Sequence, residues 1–313
     1  MLGFMNTRTP FDPELIALLG TEPPSTLDAA SLHDARAAMA TPSSTVLPVA
    51  TSLGLVHETV EGPVEMSLFH PAELRDDAPI FLWIHGGGQI MGTRFNDIID
   101  YEILHLAAEI GVLVIAPEYR LAPEHPGPAG VEDCYSALLW AAENYPGRRI
   151  LVGGVSGGGG LAAGTCLLAR DRGEVTVDSQ LLACPMLDDR HLTPSSQLFA
   201  GANARIWPRE KSEFAWDAVL GHGHESRDVS PYLAPARATD LAGLPPTFID
   251  VGDSEVYRDE CIAYAAQLLA SGVPTELHVW PGGFHVFDAI FPAADVSRRA
   301  RFARREWLRW RLS

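Results

Sequence analysis

An apolar run that reads as a buried strand, Arg149-Ile150-Leu151-Val152-Gly153, passes within a few residues into a run that reads as a helix, Leu161 to Arg170. Gly154-Val155-Ser156-Gly157-Gly158 joins them. So sharp a turn leaves no room for bulky side chains beside the serine, because strand and helix close on it from both sides. It also lifts the serine hydroxyl clear of the backbone at the start of a helix, which is the nucleophile-elbow arrangement. By itself G-x-S-x-G is a weak pattern, and a Gly-rich turn with an incidental serine fits it as well.

The surrounding chain repeats the same alternation. Ala78 to Ile84, Val112 to Ala116, Ser179 to Cys184, Pro246 to Val251 and Thr275 to Trp280 read as strands. Val64 to Phe69 alternates like a half-exposed strand. Ile98 to Ile110, Gly130 to Tyr145 and Arg258 to Ser271 suit helices between them. Short apolar strands alternating with longer helices predict a mostly parallel sheet covered on both faces. Residues 1 to about 60 read as peripheral helices and loops, with a short helix over Pro13–Leu19 stopped by Gly20. The polar stretch from about 190 to 228, with Trp207, Trp216 and His222-Gly223-His224, breaks the rhythm and reads as an insertion over the strand ends. We expect a single domain over 1–313 with a cap formed by about 1–50 and about 190–228. Arg298 to Arg311 is expected to be a surface helix whose aromatics pack on the core.

Charge limits the partners. The chain carries 40 acidic against 23 basic residues, net -17. Nucleic-acid binding relies on clustered Lys and Arg, so that class is disfavoured, as is an anionic membrane surface. Cys134, Cys166, Cys184 and Cys261 lie singly in apolar runs and form no C-x-x-C pair, which favours reduced structural thiols over disulfides or a zinc site. No basic stretch followed by a long apolar core opens the chain, and no run approaches a membrane span. The expectation is a cytoplasmic protein without a metal or cofactor.

Three further segments give the serine partners. His85-Gly86-Gly87-Gly88 follows a predicted strand, and consecutive glycines let backbone N–H groups converge on one point. Such a cradle suits a developing oxyanion; no Gly-Lys-Ser/Thr follows, which argues against a phosphate loop. Asp253-Ser254-Glu255 follows the penultimate strand, and His285 follows the last one. A serine hydroxyl needs an imidazole to take its proton, and the imidazole needs a carboxylate to fix its tautomer.

With Tyr119-Arg120-Leu121-Ala122-Pro123-Glu124, Pro185 to Asp189, Arg258-Asp259-Glu260 and Pro281 to His285, the chain resembles the hormone-sensitive-lipase-like esterases from about His85 to His285. The order serine, acid, histidine is that of α/β-hydrolases. The resemblance implies an α/β-hydrolase fold with an eight-stranded sheet and a helical cap. It implies hydrolysis of short- to medium-chain acyl esters without a metal. Ser156 would be the nucleophile and His285 the base, with oxyanion donors at Gly87, Gly88 and Gly157. It places the acid three residues before Arg258, at Glu255, with Asp253 as the alternative. The Tyr119-Arg120 run is expected to be structural. Family members often pair through an edge strand, and the sequence does not decide whether this chain does so.

The elbow departs from the family. Val155 replaces the usual acidic residue or threonine, and Gly157 replaces the usual alanine. Gly157 to Gly160 is therefore expected to make the elbow looser but still competent, unless the site needs glycine for space. Phe11, Trp207, Trp216 and Val286 are expected to wall the substrate pocket. An amide, carbamate or lactone substrate and a non-catalytic small-molecule receptor stay open, the latter weakened by the presence of His285.

Overall fold

The computed structural model describes residues 11–20 and 24–312. Three short helices, α1 (Pro13–Leu19), α2 (Leu32–Met39) and α3 (Ser43–Ser52), precede the sheet. Asp12 caps α1 by accepting the N–H groups of Glu14 and Leu15. Then come β1 (Leu55–Glu61), β2 (Glu65–Pro71), β3 (Ile80–Ile84), α4 (Ile103–Ile110), β4 (Leu113–Pro117), α5 (Ala129–Asn144), β5 (Ile150–Val155), α6 (Gly157–Arg172) and β6 (Ser179–Ala183). Two helices, α7 (Pro194–Leu198) and α8 (Arg209–Leu220), interrupt the alternation. The chain closes with β7 (Thr247–Gly252), α9 (Arg258–Ala270), β8 (Thr275–Trp280), α10 (Phe287–Ile290) and α11 (Asp295–Leu312).

The eight strands form one sheet in the order β1-β2-β4-β3-β5-β6-β7-β8. The pairs β1–β2 and β2–β4 are antiparallel, and the rest are parallel. From β3 the chain crosses first to β4 on one side and then back to β5 on the other. Right-handed crossovers in opposite directions place their helices on opposite faces. Accordingly α4 packs with α11, while α5 packs with α6. Strands β3, β4, β5, β6 and β7 are buried at every position, as a sheet covered on both faces requires.

Four sequence expectations change. Residues 55–61 form edge strand β1, which the polar run Leu-Val-His-Glu-Thr-Val-Glu hid. Strand β2 is buried at four consecutive positions, not alternately, because α3 and α4 close over that end of the sheet. Helix α6 starts at Gly157, so the four glycines belong to the helix. On α11, Trp307 is buried, whereas Phe302 and Trp310 are 67% and 65% exposed. The helix has one inward stripe, and these two positions lie off it. Its Arg304 is fully enclosed between Asp250 and Asp288, at 2.7 and 2.9 Å, and ties α11 to the sheet.

Register sets the site. Ile84 pairs with Gly154, and Val155 with Ala183, so the loops after β3, β5 and β6 leave the sheet side by side. Gly252 pairs with Trp280, which does the same for the loops after β7 and β8. All five open at the carboxyl ends of the strands, where open parallel sheets build their sites.

Candidate active site

Ser156 holds φ 55°, ψ -121°, a conformation costing on the order of 1–3 kcal/mol for a non-glycine residue. Its backbone is pinned on both sides. Ser156 N–H donates to the Ala183 carbonyl at 2.8 Å, and its own carbonyl accepts the N–H groups of Gly160 and Met186 at 3.0 Å. The glycine run after it is packed tightly. A Cβ on Gly158 would lie 2.2 Å from the His85 carbonyl oxygen, and one on Gly160 2.2 Å from that of Met186. One on Gly157 would lie 2.7 Å from the amide nitrogens of both Gly88 and Gln89. The run therefore serves close approach of backbone to backbone, and the expected looseness is not what the packing describes.

The three loops converge in a hydrogen-bonded line. Ser156 Oγ is 2.9 Å from His285 Nε2, and His285 Nδ1 is 2.6 Å from Glu255 Oε2. A carboxylate can only accept, so Nδ1 carries the proton and Nε2 is free to take one from the serine. All three side chains are at least 95% buried. The second Glu255 oxygen accepts the Gly252 N–H at 3.2 Å. Asp253 turns away from the imidazole: its Oδ1 accepts the Gly282 N–H at 2.7 Å and the Ser254 hydroxyl at 2.9 Å. It thus braces the loop that carries His285. The Tyr257 ring meets His285 edge-on at 5.2 Å, and its hydroxyl accepts Trp207 Nε1–H at 2.8 Å.

The glycine loop after β3 is held from below. Tyr119 stacks on His85 with ring centroids 4.2 Å apart, and its hydroxyl donates to the His85 carbonyl at 3.0 Å. Burial lowers the His85 pKa to about 4, so the ring is neutral. Arg120 pairs with Asp133, and Glu260 accepts the Leu187 and Asp188 N–H groups, so these sequence runs act as struts. Gly87 has φ 104°, and a Cβ there would strike the Met91 carbonyl at 2.1 Å. Among the described residues the N–H groups of Gly87 and Gly88 meet no protein acceptor. Gly157 N–H, at the first position of α6, has no intrahelical acceptor. The Gly86 N–H is spent on Asp97 Oδ2 at 2.8 Å. Burial raises the Asp97 pKa to about 6 against the opposing Gly86 hydrogen bond.

A cavity of about 710 Å³ opens over Ser156 and His285. Trp207 and Val286 line it, as does Val155. Phe11 and Trp216 do not. Phe11 packs against Phe199 and Phe284, each 6.5 Å away between ring centroids. Trp216 is fully buried on the inner face of α8, while Trp207 precedes that helix and reaches the cavity. The outer wall comes from residues 24–27, from α2 and from 205–211. Sequence reasoning missed Arg205 and Lys211 on this wall and Asp97 at the glycine loop, because no motif surrounds them. Of the His222-Gly223-His224 tract, His224 is buried against Asp189 at 2.9 Å and serves packing.

Cys184 Sγ lies with the Glu255 and His285 ligand atoms in a cluster spanning 4.8 Å, the one such metal-ligating group among the described residues. Two of its members are committed to the line ending at Ser156, and burial pushes the Cys184 thiol well above its ordinary pKa. All four cysteines are buried free thiols. Among the described residues no helix is long and apolar enough to cross a membrane.

Residues 81–289 match a family model described as alpha/beta hydrolase fold. The chain is 34% identical over 308 residues to carboxylesterase NlhH of Mycobacterium tuberculosis, covering 92% of each. It is 35% identical to esterase LipI of the same organism over 266 residues, covering 81% of each. Among solved structures it is similar to a bacterial heroin esterase, with TM-score 0.84 and 38% identity over 97% of this chain and 98% of that one.

Proposed function

The chain belongs to this alpha/beta hydrolase fold family, the hormone-sensitive-lipase-like esterases of the sequence resemblance, and from that premise we propose that it is a serine carboxylesterase working through an acyl-enzyme. The observation that carries the reading is the line Ser156–His285–Glu255, at 2.9 and 2.6 Å, at the floor of the cavity.

In this mechanism Ser156 Oγ attacks the ester carbonyl carbon while His285 Nε2 takes the hydroxyl proton. Glu255 holds Nδ1–H and balances the imidazolium. The carbonyl oxygen gains a negative charge that the N–H groups of Gly87, Gly88 and Gly157 receive. His285 then returns its proton to the departing alkoxide, leaving the acyl group on Ser156. Water, deprotonated by the same nitrogen, attacks the acyl carbonyl and releases the acid. The fixed donors need no reorganisation as charge develops, which is where such sites gain most of their rate.

The two segments forming the outer wall, within about 1–50 and 190–228, act in this reading as the cap; residues 1–10 and 21–23 of it lie outside those described. The cavity volume supports short- to medium-chain acyl groups. The four reduced thiols support a cytoplasmic location. Pairing of two copies along the free edge of β8 is a further part of the proposal, read by sedimentation. The central test is turnover of p-nitrophenyl esters from acetate to laurate, with loss on organophosphate treatment and the adduct mapped to Ser156. No turnover at any chain length, or an adduct elsewhere, refutes the reading.

A further inference from the structure

Lys211 is the single lysine in 313 residues. It stands on α8 at the cavity wall, half-buried. Its ammonium donates to Ser25 Oγ at 3.1 Å and to the Ile206 carbonyl at 3.0 Å. An ammonium has three donors, so one remains. Arg205 lines the same wall. Its Nη1 donates to the Ala202 and Ala204 carbonyls, and its Nε is buried without an acceptor. Neither cation meets a carboxylate among the described residues, in a chain carrying 40 acidic ones. Desolvation lowers the Lys211 pKa, the mark of a cation removed from water with no anion beside it.

The cavity is polarised. Its carboxylate, Asp97, sits at the glycine loop, bonded to the Gly86 N–H. The two cations stand on the wall that carries Trp207, whose indole is 6.1 Å from the His285 ring and 5.9 Å from Lys211 Nζ. The ammonium is therefore no farther than about 12 Å from the imidazole.

We infer that Lys211 and Arg205 form a subsite for a free carboxylate at the far end of the substrate, so that the preferred esters are half-esters of dicarboxylic acids. This rests on the esterase reading above. The scissile carbonyl lies at Ser156, the chain runs past Trp207, and the distal carboxylate takes the spare Lys211 donor and Arg205 Nη2, the one guanidinium nitrogen neither bonded to a carbonyl nor buried. A carboxylate offers one oxygen to the ammonium and one to the guanidinium, and Asp97 disfavours the reversed placement. Charge-assisted hydrogen bonds of this kind are strong enough to change specificity about tenfold or more.

The test compares kcat/KM, by pH-stat, for monoethyl and diethyl adipate and suberate. The monoethyl-to-diethyl ratio is expected to fall at least tenfold in Lys211→Met and in Arg205→Met, mainly through KM, and to be kept in Lys211→Arg. Equal loss on both substrates would mean that Lys211 is only a strut between Ser25 and α8, and would overturn the inference. A second readout needs no turnover. In Ser156→Ala protein grown on [ε-13C]lysine, the single lysine signal should shift with monoethyl suberate and stay still with diethyl suberate. Hydrolysis of the diethyl esters with no lysine shift and an unchanged ratio refutes the subsite and leaves the esterase reading standing. A lysine shift in a protein that hydrolyses neither these four nor any of the p-nitrophenyl esters refutes the esterase reading and keeps the anion site.

Discussion

Substituting Gly157 by alanine sets two physical effects against each other. Replacing glycine in a helix ordinarily stabilises by roughly 0.4–1 kcal/mol, through a smaller unfolded ensemble. Against that, the added Cβ would stand 2.7 Å from the amide nitrogens of Gly88 and Gln89 and 2.8 Å from Gly88 Cα. Ordinary contact begins at about 3.4 Å, so the glycine loop must recede by roughly 0.7 Å. The neighbour is backbone, held by Tyr119, by Asp97 and by α6 itself, so no side chain can swing aside. Oxyanion donors work within about 2.7–3.1 Å of the developing charge, and 0.7 Å takes the Gly88 donor out of that window. The expected result is a kcat fall of about 10²–10³ on p-nitrophenyl butyrate, with KM changed far less. Affinity for a trifluoromethyl ketone, which forms the tetrahedral adduct, should fall in parallel. Strain of about 1–3 kcal/mol should outweigh the entropic gain and lower the thermal midpoint. A variant with kcat within about threefold of the parent would refute the reasoning, because it would mean that the loop moves freely from the elbow.

Ser156→Ala should lower kcat by about 10⁴-fold or more, and Glu255→Gln by about 10³–10⁴-fold, because the amide no longer fixes the His285 tautomer. Asp253→Ala should cost about tenfold at most, by loosening the Gly282 turn; the reverse order in steady-state kinetics would transfer the acid role to Asp253. Arg304→Met should destabilise by roughly 3–5 kcal/mol in urea unfolding, since it leaves the Asp250 and Asp288 carboxylates buried without their cation. Asp97→Asn removes a carboxylate whose folded pKa is raised to about 6 from 3.8. The folded parent binds that proton more tightly than the unfolded chain, so its contribution is present at low pH and is lost as pH rises through 6. The variant should therefore melt higher than the parent at pH 8, and this difference should shrink between about pH 7 and 4. A pH-independent difference would show that Asp97 acts only through its hydrogen bond to Gly86.

Much of this protein is local in origin. The strand–serine–helix turn, the glycine loop after β3 and the carboxylate and histidine loops after β7 and β8 each carry their own signal, because turn chemistry and apolar runs act over a few residues. Those signals were enough for seven of the eight strands, for their order and for Ser156 and His285, while the choice of Glu255 came from the family resemblance. Where packing against a distant segment decides, the chain was silent. Strand β1 is polar and is made a strand by pairing with β2. Trp207 and Trp216 stand nine residues apart with the same side chain, yet only Trp207 reaches the cavity, because α8 turns the other inward. Asp253 and Glu255 are both carboxylates and stand two residues apart, and the direction of one turn separates a loop brace from the partner of His285. The glycines of the elbow were legible as glycines, but not as a contact surface for the loop after β3. A Cβ clash exists only once the two backbones have been brought together by the β3–β5 register, and the cationic wall only once α8 has been laid across the strand ends.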